Sequence, residues 1–201
     1  TIPSGVDEVF FRIAPDRGSP NILHIRALER IYDAETLIRA VPLVVQEMPR
    51  ARFVIAGTGS HASSLRELAH DLGVEDHIGF KGAVDHASIA ELMRSASVYV
   101  SCARADGTSI ALMEAIAAGL VPVVTDIGAN RPLVTDGEDG FLFNPGDERD
   151  LADKILKAFS RGIPLEILDK KRSGFKDTVS WGSIAKRFIA GYDRLIVRSG
   201  R

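Results

Sequence analysis

The chain has one cysteine, Cys102, among 201 residues. A lone thiol makes no internal disulfide, which excludes the small scaffolds stapled by such bonds. Cys102 also ends an apolar run, where a buried, inert thiol is expected rather than a nucleophile. Aromatic residues are scarce at 6%, and no stripe alternates them with basic residues, so nucleic acid is not an expected partner. No apolar run is long enough to span a bilayer and no signal-peptide pattern opens the chain, so a cytoplasmic location is expected. Also missing are a Gly-Lys-Ser/Thr phosphate loop and a Gly-x-Ser-x-Gly nucleophile elbow. His24, His61, His70, His77 and His86 fall in unrelated places without metal-ligand spacing. Each is expected at the surface or at a helix end, and neither a metal nor a cofactor is expected.

What is present suits one sizeable core. The chain is 45% hydrophobic and 26% charged; a chain of this size buries about 70% of its unfolded surface. The net charge of −2 hides an asymmetry. Residues 1–150 hold 13 Lys+Arg against 22 Asp+Glu, and residues 151–201 hold 12 against 5. The basic tail suits either an anionic lipid surface or the solvated faces of two amphipathic helices, and the second is the preferred reading.

Apolar runs alternate with helical patterns. Strands are expected at 21–26, 52–56, 77–81, 98–102, 121–125 and 140–144. Helices are expected at 34–48, 62–72, 87–95, 109–118, 150–159, a short one near 164–172, and 183–197. This order implies right-handed βαβ crossovers and a parallel sheet of about six strands with helices on both faces, a Rossmann-like α/β fold. In such a sheet ligands bind beyond the carboxyl ends of the strands. The loops expected there run over 26–32, 57–60, 82–85, 103–108 and 126–131.

The most informative stretch is Cys102–Asp126. Its helix is Ile, Ala, Leu and Met on nearly every side, so it must be covered on nearly every side. One residue breaks that pattern, Glu114, and a lone carboxylate there is costly unless hydrogen-bond donors meet it. Asp106 stands eight positions earlier, followed by Gly107, Thr108 and Ser109. Hydroxyl caps and free amides at a helix N-terminus form an anion site, here flanked by two carboxylates. Carboxylates accept paired hydrogen bonds from vicinal hydroxyls, so an anionic ligand rich in diols fits the combination.

The segment Arg104–Asp126 resembles the signature of retaining "group 1" glycosyltransferases (family 4, GT-B fold). These have two acidic residues separated by seven, an Ala-rich helix, Gly-x-Pro-Val-Val, and a Gly-x-Asn loop. Ile2-Pro-Ser-Gly-Val-Asp7, Phe53–Gly59, Phe80–Val84, Asp136–Gly140, Pro145–Asp147 and Ser180-Trp181 resemble further segments of the family. The resemblance implies the donor-binding half of a two-domain enzyme. Residues 1–20 would be interdomain linker and lead-in, 21–178 the donor-binding domain, and 179–201 a helix packing back toward an N-terminal domain. It further implies that Glu114 holds ribose hydroxyls and that Asp106, the catalytic residue, holds the donor sugar's hydroxyls. The amides of Gly107, Thr108, Ser109 and Ile110 would meet the phosphates and sugar, and main chain at Gly82–Val84 the base. The turn Gly57-x-Gly59 belongs to the same site. The donor would be a UDP-, GDP- or ADP-sugar, transferred with retention and without metal. The acceptor would be a glycan or a lipid-linked molecule held by the N-terminal domain, and contact with the inner face of a membrane stays open.

The sequence departs from the family at the diphosphate clamp, where Ala27 and Tyr32 replace the usual Arg and Lys. Arg26 and Arg30 stand nearby as substitutes or as plain surface residues. The isolated half is expected to expose an apolar surface near Ile110 and Leu112. A non-catalytic nucleotide-sugar-binding or scaffold module with a degenerate clamp is the competing reading. A related GT-B epimerase or phosphorylase is the least favoured.

Overall fold

The computed structural model describes residues 5–199, with side chains described for 5–190. Ile2, Pro3 and Ser4 of the linker-like motif lie outside the described residues. The element order is β1 (Asn21–Ile25), α1 (Ala34–Glu47), β2 (Arg52–Ala56), α2 (Ala62–Asp71), β3 (Ile78–Gly82), α3 (His86–Arg94), β4 (Val98–Ser101), α4 (Ile110–Ala118), β5 (Val121–Thr125), β6 (Phe141–Phe143), α5 (Glu148–Ser160), α6 (Leu165–Val179) and α7 (Trp181–Ser199). The six strands form one sheet in the order β3-β2-β1-β4-β5-β6, and every neighbouring pair is parallel.

Alternation along each strand sends side chains to two cores. On one face Ile22, Phe53, Ile55, Val98, Val100 and Val123 meet α1, α2 and α5. On the other, Leu23, Ile25, Tyr99 and Val124 meet α3, α4 and α6. Helix α1 buries Leu37, Ile38, Val41 and Val44, the stripe that helical periodicity requires of a helix on a sheet. Helix α4 is different: seven of its nine residues are buried. It is covered by β4 and β5, by α3 and α6, and by a 3-10 turn at Phe10–Arg12.

That turn changes the picture of the lead-in. Val6, Phe10, Phe11 and Ile13 are buried in the α4 core, and Arg172 of α6 donates to the carbonyl oxygens of Phe11 and Ile13. Residues 6–13 are thus part of the packed domain. Helix α6 also runs to Val179, 15 residues, where a short helix ending near Arg172 was expected. Its extra turns carry Phe175 and Val179 onto the second core. Several basic residues of the tail are engaged internally: Lys154 with Asp136, Lys157 with Asp153, Lys171 with Asp139 and Lys176 with Glu8. Leu112, expected at an exposed apolar surface, is fully buried, while Ile110 is 45% exposed. The two positions are on opposite sides of the first turn of α4. His24, expected at a surface or helix end, is a buried residue of β1 whose Nδ1 meets the Val100 carbonyl at 3.0 Å.

The turn after β2 shapes the loop after β1. Gly57 has φ +142°, and a Cβ there would lie 1.9 Å from the Arg26 carbonyl oxygen. One added at Gly59 would lie 2.3 Å from that of Leu28. The absence of side chains lets Leu28 N–H reach the Thr58 carbonyl at 2.8 Å and His61 N–H reach that of Leu28 at 3.0 Å. Gly57→Ala is therefore expected to destabilise the protein by about 2 kcal/mol or more and to displace residues 26–28. A urea-denaturation midpoint equal to that of the native sequence would count against this packing.

Candidate functional site

Strands β1 and β4 are neighbours, yet the chain leaves them in opposite directions. After β1 it passes to α1 on one face, and after β4 to α4 on the other. This is the switch point of a doubly wound sheet, where diverging loops open a crevice. The two loops run over residues 26–33 and 102–109, and the candidate residues of highest charge meet between them.

Arg26 Nη2 donates to Asp106 Oδ2 at 2.5 Å, with the side chains only 15% and 9% exposed. Asp106 Oδ1 accepts the Gly107 N–H at 2.8 Å. The Tyr32 ring lies under the Arg26 guanidinium at 4.3 Å, a cation–π contact of about 0.5–2 kcal/mol. Arg26 Nε is buried and finds no acceptor among the described residues. Arg26 and Asp106 are thus brought together; Arg30 is not. It lines a separate cavity of about 860 Å³, with Asp33, Arg39, His61 and Arg104. That cavity is lined by neither Asp106 nor Glu114.

Helix α4 starts at the crevice. Ser109 caps it, its hydroxyl accepting the Leu112 N–H at 3.3 Å. The Gly107 N–H is already used by Asp106, whereas those of Thr108, Ser109 and Ile110 have no acceptor among the described residues. They are the free first-turn donors that favour an anion. Gly107 has open space around it.

Glu114 follows one turn further in, 8% exposed. Among the described residues no donor hydrogen-bonds its carboxylate, and His86 Nε2 lies 3.9 Å from Oε1. Burial, with the negative charge of Asp7 added, raises its pKa to about 7. His86 opens α3, whose N-cap Asp85 accepts the Ser88 N–H at 2.7 Å, and Phe10 packs edge-on against its ring at 5.1 Å. The β3–α3 loop with Gly82 and Val84 is therefore adjacent to Glu114. Gly82, at φ +69°, uses its carbonyl to accept the Gly57 N–H at 2.7 Å. Gly57 and Gly59 face the backbone of Arg26 and Leu28, so they shape the crevice from behind.

Sequence reasoning missed several members. Tyr99, on β4, has a fully buried hydroxyl without a hydrogen-bond partner among the described residues; burial raises its pKa, with the charges of Arg26, Glu114 and Asp106 all close enough to act on it. The signal was an aromatic ring with a polar tip in the run Val98–Ser101. Thr125 and Asn130 were missed too: Thr125 Oγ1 donates to the Ala103 carbonyl at 2.6 Å, and Asn130 Nδ2 donates to the Thr125 carbonyl at 2.9 Å. They hold the exit of β4. The loops are also braced to each other. Asp33, at φ 46°, accepts Arg104 Nε at 2.8 Å and Thr36 Oγ1 at 2.8 Å, while Arg104 N–H reaches the Ile31 carbonyl at 3.0 Å.

Fold and crevice define the Rossmann-like α/β class of domain. Residues 6–173 match the family model "Glycosyl transferases group 1", and the chain belongs to that family. Among curated proteins it is 28% identical to a phosphatidylinositol N-acetylglucosaminyltransferase subunit of Arabidopsis thaliana, over 100% of this chain and 45% of that one. It is 33% identical to the phosphatidyl-myo-inositol mannosyltransferase of Mycobacterium tuberculosis, over 96% and 53%. The chain thus spans about half the length of these relatives. Among solved structures it is similar to Anabaena HepE in complex with UDP and glucose, with TM-score 0.84 and 18% identity over 96% of this chain and 56% of that one. The pneumococcal O-GlcNAc transferase GtfA with UDP and GlcNAc has TM-score 0.80 and 22% identity, over 97% and 40%. At these identities the likeness establishes the fold, the Rossmann-like part of GT-B enzymes.

The electrostatics make a stability prediction. Glu114 has a folded-state pKa above its unfolded value of 4.5, so the folded state holds the extra proton between pH 4.5 and about 7. Stability contributed by that proton falls as pH rises through this window and levels off above it, a cost of order 3 kcal/mol. His24 acts oppositely. Burial lowers its pKa from 6.5 to about 4, so stability is lost as pH falls from 6.5 toward 4. Glu114→Gln, which removes the charge at constant shape, is expected to stabilise the protein by about 1–3 kcal/mol at pH 8 and not at pH 4.5. Denaturant unfolding at the two pH values measures this; equal effects at both would contradict it.

Proposed function

We propose that this chain is the donor-binding domain of a retaining glycosyltransferase, the C-terminal half of a two-domain enzyme. The observation that carries the reading is Glu114: a carboxylate inside an apolar helix, without hydrogen-bond donors among the described residues, at the crevice that the free α4 amides also face. A buried carboxylate left without donors is an acceptor kept for a ligand, and ribose hydroxyls are donors of the right kind. The adjacent Gly82–Val84 main chain takes the base. The amides of Thr108, Ser109 and Ile110, together with Arg26, take the diphosphate. Asp106 takes hydroxyls of the donor sugar.

In this reading the reaction's negative charge grows on the departing diphosphate. Dipoles and a cation already aimed there stabilise that charge more in the transition state than in the ground state. The amides of α4 and Arg26 supply this without a metal ion. The acceptor sits on an N-terminal domain, and a lipid-linked or glycan acceptor is preferred. The names of two relatives, which act in phosphatidylinositol-based glycosylation, support a lipid acceptor. UDP, present with HepE and GtfA, is the first nucleotide to test, with GDP and ADP beside it.

A second reading, a nucleotide-sugar-binding or scaffold module, is favoured by Ala27 and Tyr32 in place of the family's cations. The burial of Arg26 beside Asp106 argues against it, because a cation stands in the crevice from another position. Calorimetry on the full-length protein with UDP-, GDP- and ADP-sugars separates the readings when coupled to a transfer assay. One series is expected to bind, with Glu114→Ala weakening it at least about tenfold, as for loss of charge-assisted hydrogen bonds. Since the ligand-accepting form of Glu114 is the carboxylate, affinity should also fall as pH drops below 7. Binding indifferent to Glu114 would overturn the site, and binding without transfer would favour the scaffold.

A further inference from the structure

Resting on the donor-binding reading, we propose that Arg26 is shared between Asp106 and the donor's diphosphate, so that the nucleotide portion of the donor releases Asp106 to receive the sugar. Arg26 is committed in the structure: Nη2 is on Asp106 Oδ2 at 2.5 Å, and Tyr32 covers the guanidinium at 4.3 Å. The pair is largely buried, so the Asp106 charge is spent on Arg26 and on the Gly107 amide. An ionised carboxylate with both oxygens engaged is a weakened acceptor for hydroxyls.

Arg26 also has a donor in excess. Its Nε is buried without an acceptor among the described residues, an arrangement that costs free energy until an acceptor arrives. A diphosphate at the N-terminus of α4 brings several anionic oxygens into the crevice beside Arg26. Planar guanidinium forks bind phosphate in two-point fashion, so the ligand competes with Asp106 for this cation. Tyr32 keeps Arg26 in place during the exchange, because a ring face holds a cation without choosing its acceptor. Tyr32 thereby replaces a clamp charge by a platform for one. Asp106, uncovered as Arg26 turns to the diphosphate, keeps its Gly107 hydrogen bond and offers Oδ2 to a sugar hydroxyl. The site then admits its two halves in order: nucleoside diphosphate creates the sugar's acceptor.

Competition for one cation has a signature in binding. In the full-length protein, Asp106→Asn is expected to tighten UDP, or whichever of GDP and ADP binds, by about fivefold or more, a usual coupling size. The same variant should lose the added affinity of the nucleotide-sugar over the bare nucleotide. Arg26→Ala is expected to weaken the nucleotide, and adding Asp106→Asn to it should bring no tightening. Removing a negative charge near an anion would tighten binding by itself, but that effect persists without Arg26. Tightening of similar size in both backgrounds, or weakening by Asp106→Asn alone, overturns the sharing. Arg26→Lys keeps the charge but loses the fork, and should recover part of the affinity. Circular dichroism on each variant checks folding; if Arg26→Ala does not fold, Arg26→Gln, which removes the charge and keeps a polar side chain of similar length, carries the same cycle. No binding by UDP, GDP or ADP to the native protein overturns the donor reading itself, and the sharing with it.

Discussion

Helix α4 has no polar face to give to water, and much of the domain follows from covering it. The sheet closes one side, α3 and α6 two others, and the turn at Phe10–Arg12 the last. A helix enclosed in this way has only its ends free. Its N-terminus emerges where β1 and β4 part, because a parallel sheet wound in two directions leaves its gap there. The enclosing shell also removes water from around Glu114, four positions into the helix. The carboxylate is thus destabilised by the same packing that secures the fold, the usual relation between a binding group and its scaffold.

The second charged position is built differently. Asp106 is compensated by Arg26 and by a backbone amide, and Glu114 has no hydrogen-bond donor among the described residues. Two carboxylates eight residues apart thereby acquire distinct ground states, one an ion pair and the other near its titration point at neutral pH. Replacing Ala27 and Tyr32 by cations would add charge in the loop; here one buried arginine stands at the crevice from the position before Ala27. The loop accepts this because Gly57 and Gly59 allow the 26–28 backbone to lie directly against the following turn.

Much of the fold was legible because period and punctuation agreed. Continuous apolar strands, short glycine turns and helical stripes placed all six strands within a residue or two. The apolar character of α4 and its one acid also pointed to the crevice without coordinates. What sequence could not show was pairing across distance. Arg26 and Asp106 are 80 positions apart, and no local pattern tells the cation that meets Asp106 from Arg30, which lines another cavity. His24 was misread because a histidine in an apolar strand resembles one at its end; only the Val100 carbonyl reveals how its ring is accommodated. Helix α6 was read too short: Leu168, Phe175 and Val179 share one helical face, but the charged Arg172 interrupts the apolar row between them. The buried lead-in looked like a linker because its Phe and Ile residues come in a turn rather than in a periodic run.

The brace between Asp33 and Arg104 has a mechanical meaning. Arg104 is anchored to the first loop twice, by its Nε to Asp33 and by its amide to Ile31, while Thr125 and Asn130 fasten the start of its own loop to β5. The walls of the crevice are thus tied to each other and to the next strand. Splaying them apart requires breaking these bonds, so side-chain rotation is the less costly way to adjust the space between Arg26 and Asp106.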